Sequence, residues 1–151
     1  MKHLAFTLIL CLFSITNKAD EPLGIRFFSG SWQEALAEAK SQHKPLYVDF
    51  HTSWCPPCRR MAREAFPSPK VGDKYNATFI SYQLDAELGE GVDLARKYSV
   101  SSYPTSLFIT PEGEVVHRAV GYGGIDAMIR QADIVLSMPK MRRSLAKRNR
   151  S

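Results

Sequence analysis

The order of strand and helix patterns along the chain predicts an α/β domain, with a central mixed β-sheet and helices on both faces. Three observations carry this. Strand-like and helix-like periodicities take turns through most of the sequence. A strand pattern, KPLYVDFH, runs straight into a helix that opens with proline at WCPPC. A Pro-Glu-Gly-Glu turn joins two further strand patterns, as an antiparallel pair requires. With 151 residues, 44% of them hydrophobic, the chain can build one domain around a sizeable core.

The chain opens with Lys2 and His3 ahead of an apolar run from Leu4 to Ile15. That run, about 12 residues, falls short of the roughly 20 that span a bilayer but suits a signal-peptide core. Residues 1–19 are therefore expected to be a signal peptide cleaved after Ala19, which makes the protein periplasmic or secreted. A lipid-modified Cys11 and a buried helix of the fold are the other two readings of this segment.

GIRFF is then a short strand pattern. SWQEALAEAKSQ is an amphipathic helix whose Trp32, Ala35, Leu36 and Ala39 share one face, opened by the capping-box pair Ser31 and Glu34. KPLYVDFH is a strand rich in aromatic and β-branched residues, and Pro57 starts a helix expected to run to about Phe66. Pro67 and Pro69 end it, and KVGDKYN is a second helical piece. TFISYQLD, GVDLARKYS and TSLFIT alternate strand, helix, strand; VVHRAV is the returning hairpin partner. IDAMIRQADIVLSM closes the fold with an apolar stripe of Ile125, Met128, Ile129, Ala132, Val135 and Leu136.

The net charge of +5 suggests an acidic partner only until its distribution is considered. Lys140, Arg142, Arg143, Lys147, Arg148 and Arg150 all lie in residues 140–151, which hold no acid and leave the rest of the chain at −1. The folded part is not basic, and nucleic acid is excluded as a partner on that ground. The tail, residues 140–151, is expected to be disordered; weak electrostatic contact with anionic lipid headgroups is the alternative.

Once the leader is removed, Cys55 and Cys58 are the remaining cysteines. A structural disulfide stabilises by closing a long loop, and two intervening residues close almost nothing. Half a zinc site is a second reading, with His43, His51 and His117 as potential completing ligands, but no second paired spacing accompanies it. The redox reading has a physical basis. Cys55 follows a strand and precedes a helix, so its sulfur meets the free N–H groups and positive dipole end of that helix, which favour a thiolate. Cys55 is thus the expected nucleophile, and Cys58, one turn further in and more buried, the thiol that resolves the mixed disulfide. Neither Pro56 nor Pro57 can donate to the Cys55 sulfur, so the Cys58 N–H is the donor left.

VDFHTSWCPPC resembles the active-site segment of the thioredoxin family, and SYPT resembles the loop in which that family carries a cis-proline facing the cysteines. The likeness runs from about Phe27 to Leu136. It implies a thioredoxin fold over residues 20–139, a cis Pro104 whose neighbouring backbone pairs with a substrate chain as an added strand, and substrate contacts from Trp54, Tyr103, Pro104 and Thr105. Gly113 and Gly121 fall where the family has a hairpin turn and a bend. Within the family, the leader and WCPPCRRMAREAFPSPKV look most like periplasmic thioredoxin-like domains, including the C-terminal domain of thiol:disulfide interchange protein D. Asp49 matches the family's buried aspartate, which assists proton transfer at the second cysteine. Strand alternation sets Tyr47, Asp49 and His51 on one face and Leu46, Val48 and Phe50 on the other. The family often has a lysine beside this aspartate; the corresponding position is taken as Ser81, and His51 is a candidate replacement ionisable group.

The resulting expectation is an exported thiol-disulfide oxidoreductase that reduces or exchanges disulfides in protein substrates and draws on a separate electron donor or acceptor. It needs no metal or organic cofactor, because the electrons reside in the cysteines. The competing class is a non-catalytic thioredoxin-fold binding module with a passive Cys55–Cys58 disulfide.

Overall fold

A computed structural model describes residues 23–146. The expected signal peptide, the lipidation alternative at Cys11 and residues 147–151 lie outside the described residues.

Helix α1 (Trp32–Gln42) starts where Ser31 and Glu34 form the reciprocal capping box, and it ends at His43 in a left-handed conformation. Its first free N–H, that of Trp32, is taken by the Glu90 carboxylate at 2.9 and 3.1 Å. Strand β1 (Leu46–His51) runs into α2 (Pro56–Glu64), α3 (Pro69–Thr78) and β2 (Ile80–Asp85). Then come α4 (Glu90–Lys97), β3 (Thr105–Ile109), β4 (Val115–Val120), α5 (Ile125–Ser137) and α6 (Pro139–Ala146). Proline opens α2 and α3, where its fixed φ suits the first turn and no N–H is needed. Gly113, with φ +92°, lets the chain turn between β3 and β4.

The four strands lie in the order β2-β1-β3-β4. β1 runs parallel to β2 and antiparallel to β3, and β3 pairs antiparallel with β4. The sheet is mixed, as expected. Leu46, Val48 and Phe50 of β1 pack on one side with Leu107 and Ile109 of β3, Trp32 and Ala35 of α1, and Leu94 of α4. Tyr47 of β1 and Phe108 of β3 pack on the other with Met61 of α2, Val71 and Tyr75 of α3, and Met128 and Ala132 of α5. The alternation along β1 is what sorts its residues between these two cores.

Two expectations are corrected. GIRFF does not form a regular strand: it makes one parallel bridge, Phe27 to Ser81, because the Ile25 N–H turns instead to the Phe66 carbonyl at 2.7 Å. The tail is not disordered through residues 140–146, which belong to α6. Met141 is fully buried and Leu145, one turn on, packs against the same core, so the apolar pair holds the helix down while the arginines stay outside. Lys140 in addition pairs with Glu114 across 3.4 Å.

Candidate active site

The site begins where β1 ends. Its carbonyls and N–H groups leave the sheet after His51, the Cys55 N–H bonds the Thr52 carbonyl at 3.4 Å, and Cys55 becomes the N-cap of α2. The Cys55 sulfur accepts the Cys58 N–H at 3.2 Å, the donor that the two prolines leave available. Cys55 and Cys58 form a disulfide, with S–S 2.09 Å and Cα–Cα 5.3 Å. A pair joined in this way, at the N-terminus of a helix that stabilises the Cys55 thiolate on reduction, can cycle between dithiol and disulfide. The Arg59 guanidinium holds the turn by donating to the Ser53 carbonyl at 2.9 Å. The cysteines do not differ in burial as the spacing suggested: Cys55 is 2% exposed and Cys58 5%.

The Tyr103–Pro104 peptide is cis, as the resemblance implied. The Pro104 carbonyl accepts the Gly121 N–H at 2.8 Å, and the Thr105 hydroxyl donates to the Ser102 carbonyl at 2.7 Å. Thr105 is buried, so its side chain supports the loop from within. Trp54 lies 59% exposed, with its ring edge-on to Tyr103 at a centroid distance of 6.1 Å. The loop before α2 and the loop before β3 thus meet through these two rings. Glu87 carries no sequence signal of a site role, yet its carboxylate accepts the Trp54 indole N–H at 3.0 and 3.1 Å and fixes that ring. No local pattern marks Glu87; the contact spans 33 positions.

Asp49 is 1% exposed, and burial raises its carboxyl to about 7. One oxygen accepts the Gln83 amide at 3.0 Å, which opposes the rise, and the other has no hydrogen-bond partner. Gln83, not Ser81, is therefore the residue beside Asp49. Parallel pairing sets Asp49 opposite Gln83 and Ser81 opposite Tyr47, so the position taken for the family's lysine lies two residues from the partner of Asp49. His51 approaches from the same strand, its Nδ1 3.7 Å from the Asp49 carboxylate. Burial lowers the imidazole below its ordinary 6.5, opposed by Asp85 across the sheet. Among the described residues no group of three or more His, Cys, Asp or Glu side chains could hold a metal ion, and His43 and His117 sit on other elements.

A four-stranded mixed sheet flanked by helices, a disulfide across the first turn of a helix and a cis-proline loop define a thioredoxin-fold protein with a dithiol/disulfide centre. Residues 32–133 match the family model of the thioredoxin-like domain, and the chain belongs to that family of thiol-disulfide oxidoreductases. It is 36% identical to thioredoxin H4 of Arabidopsis thaliana over 60% of this chain and 71% of that one. It is 33% identical to the thiol:disulfide interchange protein DsbD of Vibrio cholerae over 58% of this chain, but only 15% of that much longer protein. Among solved structures, a proposed disulphide isomerase of Bacteroides thetaiotaomicron superposes with a TM-score of 0.68 at 40% identity, covering 76% of this chain and 94% of that one. A thioredoxin of Thermus thermophilus superposes with a TM-score of 0.67 at 27% identity, covering 76% and 88%.

Proposed function

We propose that the chain is an exported oxidoreductase that uses its Cys-Pro-Pro-Cys centre to reduce or exchange disulfides in protein substrates. The observation that carries this is Cys55 capping α2 with its sulfur on the Cys58 N–H while bonded to Cys58. In the reduced protein the Cys55 thiolate attacks a substrate disulfide, forms a mixed disulfide and expels one substrate sulfur as a thiolate, which takes a proton from the medium. Cys58 passes its proton to the Asp49 carboxylate and attacks the Cys55 sulfur, releasing the second substrate thiolate. Two electrons have then moved from the protein to the substrate. Trp54 and Tyr103 supply an aromatic rim for the substrate chain, and the backbone at Pro104 and Thr105 offers it an added strand. A separate electron donor or acceptor resets the pair. Export rests on the Leu4–Ile15 pattern and on the likeness to DsbD.

Insulin reduction with dithiothreitol as electron source tests this reading. The Cys55→Ser variant is expected to lose essentially all turnover. Wild-type protein that never accelerates insulin reduction is a passive binding module instead. Titrating the Cys55/Cys58 pair against glutathione then gives the direction of the reaction, since about 30 mV corresponds to about 1.4 kcal/mol. Edman sequencing of the exported protein, expected to begin after Ala19, checks the leader.

A further inference from the structure

A carboxyl as deeply buried as Asp49 can accept a proton from a thiol only if that proton later leaves, and the structure limits the ways out. Gln83 donates to Asp49, but an amide does not titrate. Tyr47, on the same strand face, is fully buried, its hydroxyl is tied to Ser106 at 3.2 Å, and burial drives its pKa well up. β3 on the far side of β1 carries no titratable side chain, and the buried positions of α2, Cys58 and Met61, add only the thiol. His51 is different. Its Nδ1 is unpartnered and 3.7 Å from Asp49, and its side chain is 27% exposed where that of Asp49 is 1%.

We propose that His51 is the conduit through which Asp49 exchanges its proton with solvent, making the Asp49–His51 pair a relay from Cys58 to water. The inference rests on the Asp49 role given above. As Cys58 attacks, its thiol proton goes to the Asp49 carboxylate. Asp49 gives it to His51 Nδ1, closing a gap about half an ångström beyond hydrogen-bond reach by rotation of the ring, and His51 releases a proton from Nε2 to water. The carboxylate ends ionised and the imidazole neutral with its proton on Nδ1; exchange of that proton with water as the ring rotates outward returns the Nε2–H tautomer for another cycle. The charged groups facing His51 are Asp49 from its own strand and Asp85, its register partner on β2. Burial raises the carboxyl to about 7 and lowers the imidazole below its ordinary 6.5, so the ring passes the proton on rather than holding it. His51 acts through Asp49, so it is a positioning residue for the proton and touches no reacting sulfur.

Reaction of the reduced protein with excess dithiobis(nitrobenzoate) separates the two chemical steps: the first thionitrobenzoate released reports attack by Cys55, the second resolution by Cys58. His51→Gln is expected to slow the second phase about tenfold near pH 7, leave the first unchanged, and flatten the pH dependence of the second between pH 6 and 8. In His51→Ala, added imidazole is expected to restore the second phase. A folded His51→Gln protein with a wild-type second phase overturns the relay, and so does a slowed phase with an unaltered pH profile and no imidazole rescue. If Asp49→Asn slows the second phase while His51→Gln does not, the relay alone fails; if neither slows it, the Asp49 role fails with it. Should His51→Gln not fold, Asp85→Asn decides: loss of its charge is expected to move the pH midpoint of the second phase downward, and an unmoved midpoint overturns the proposal.

Discussion

The two faces of β1 are made from alternate residues of one six-residue strand, and they follow opposite rules. Leu46, Val48 and Phe50 face a continuous apolar core shared with α1 and α4, in which burial is the only requirement. Tyr47, Asp49 and His51 face the α2 side and carry a row of polar groups, two of which, Asp49 and His51, have atoms without hydrogen-bond partners. A fold seeking stability alone would fill both faces as it fills the first. The second keeps a buried carboxyl near neutral pH, against the folding free energy, on the face that carries the dithiol helix. Strain of this kind collects where chemistry is done.

The largest expected effect comes from breaking the first face by the rule of the second. Val48→Asp puts an unpaired carboxylate among Phe50, Leu107 and α1, and is expected to cost more than about 5 kcal/mol; circular dichroism should show no folded protein at 25 °C.

Reversing the experiment, Asp49→Asn is expected to stabilise the protein. The carboxyl ionises near 3.8 when unfolded and near 7 when folded, so between those values the native state holds the extra proton and stability falls as pH rises. Above pH 7 the full penalty, roughly 4 kcal/mol, is in place. Urea unfolding at pH 5 and pH 8 should show the wild type weaker at pH 8 and the variant largely without that slope. His51, held neutral by burial, adds a smaller opposite trend: as the unfolded imidazole loses its proton near 6.5, stability rises with pH.

Gln83→Leu sharpens the contrast at a single bond. It removes the amide that favours the ionised carboxyl, worth about 2 kcal/mol for a bond to a charged group. The Asp49 midpoint, followed by carboxyl infrared absorption, should rise above about 7. The smallest change is Tyr47→Phe, which deletes the bond to Ser106 and leaves the ring in place; about 1 kcal/mol by thermal unfolding is expected.

Local chemistry made much of this legible in the sequence. The Ser31 and Glu34 cap, the proline-started helix after Cys55, the Cys58 N–H as donor and the turn at Gly113 each depend on residues within a few positions of one another. The expectations that the structure overturns share a different trait. Family likeness points to Ser81 as the neighbour of Asp49, but it does not say how far one strand slides along another; Gln83 lies on the same face, two residues on, and is the register partner. GIRFF has a strand's composition, but strand formation needs a partner edge, and the Phe66 carbonyl claims the Ile25 N–H. The charges of the tail suggest disorder, whereas Met141 and Leu145, an i, i+4 pair, hold residues 140–146 in a helix by packing against the core.

By itself the sequence determined the α/β alternation, the two-faced β1 strand and a cysteine pair at a helix start, because each arises from periodicity or from contacts within one turn. Only the tertiary structure decided that Gln83 meets Asp49, that Glu87 anchors Trp54 and that Trp54 meets Tyr103. Strand register and loop approach are set by the packing of whole elements, so these contacts join residues whose closeness no local pattern encodes.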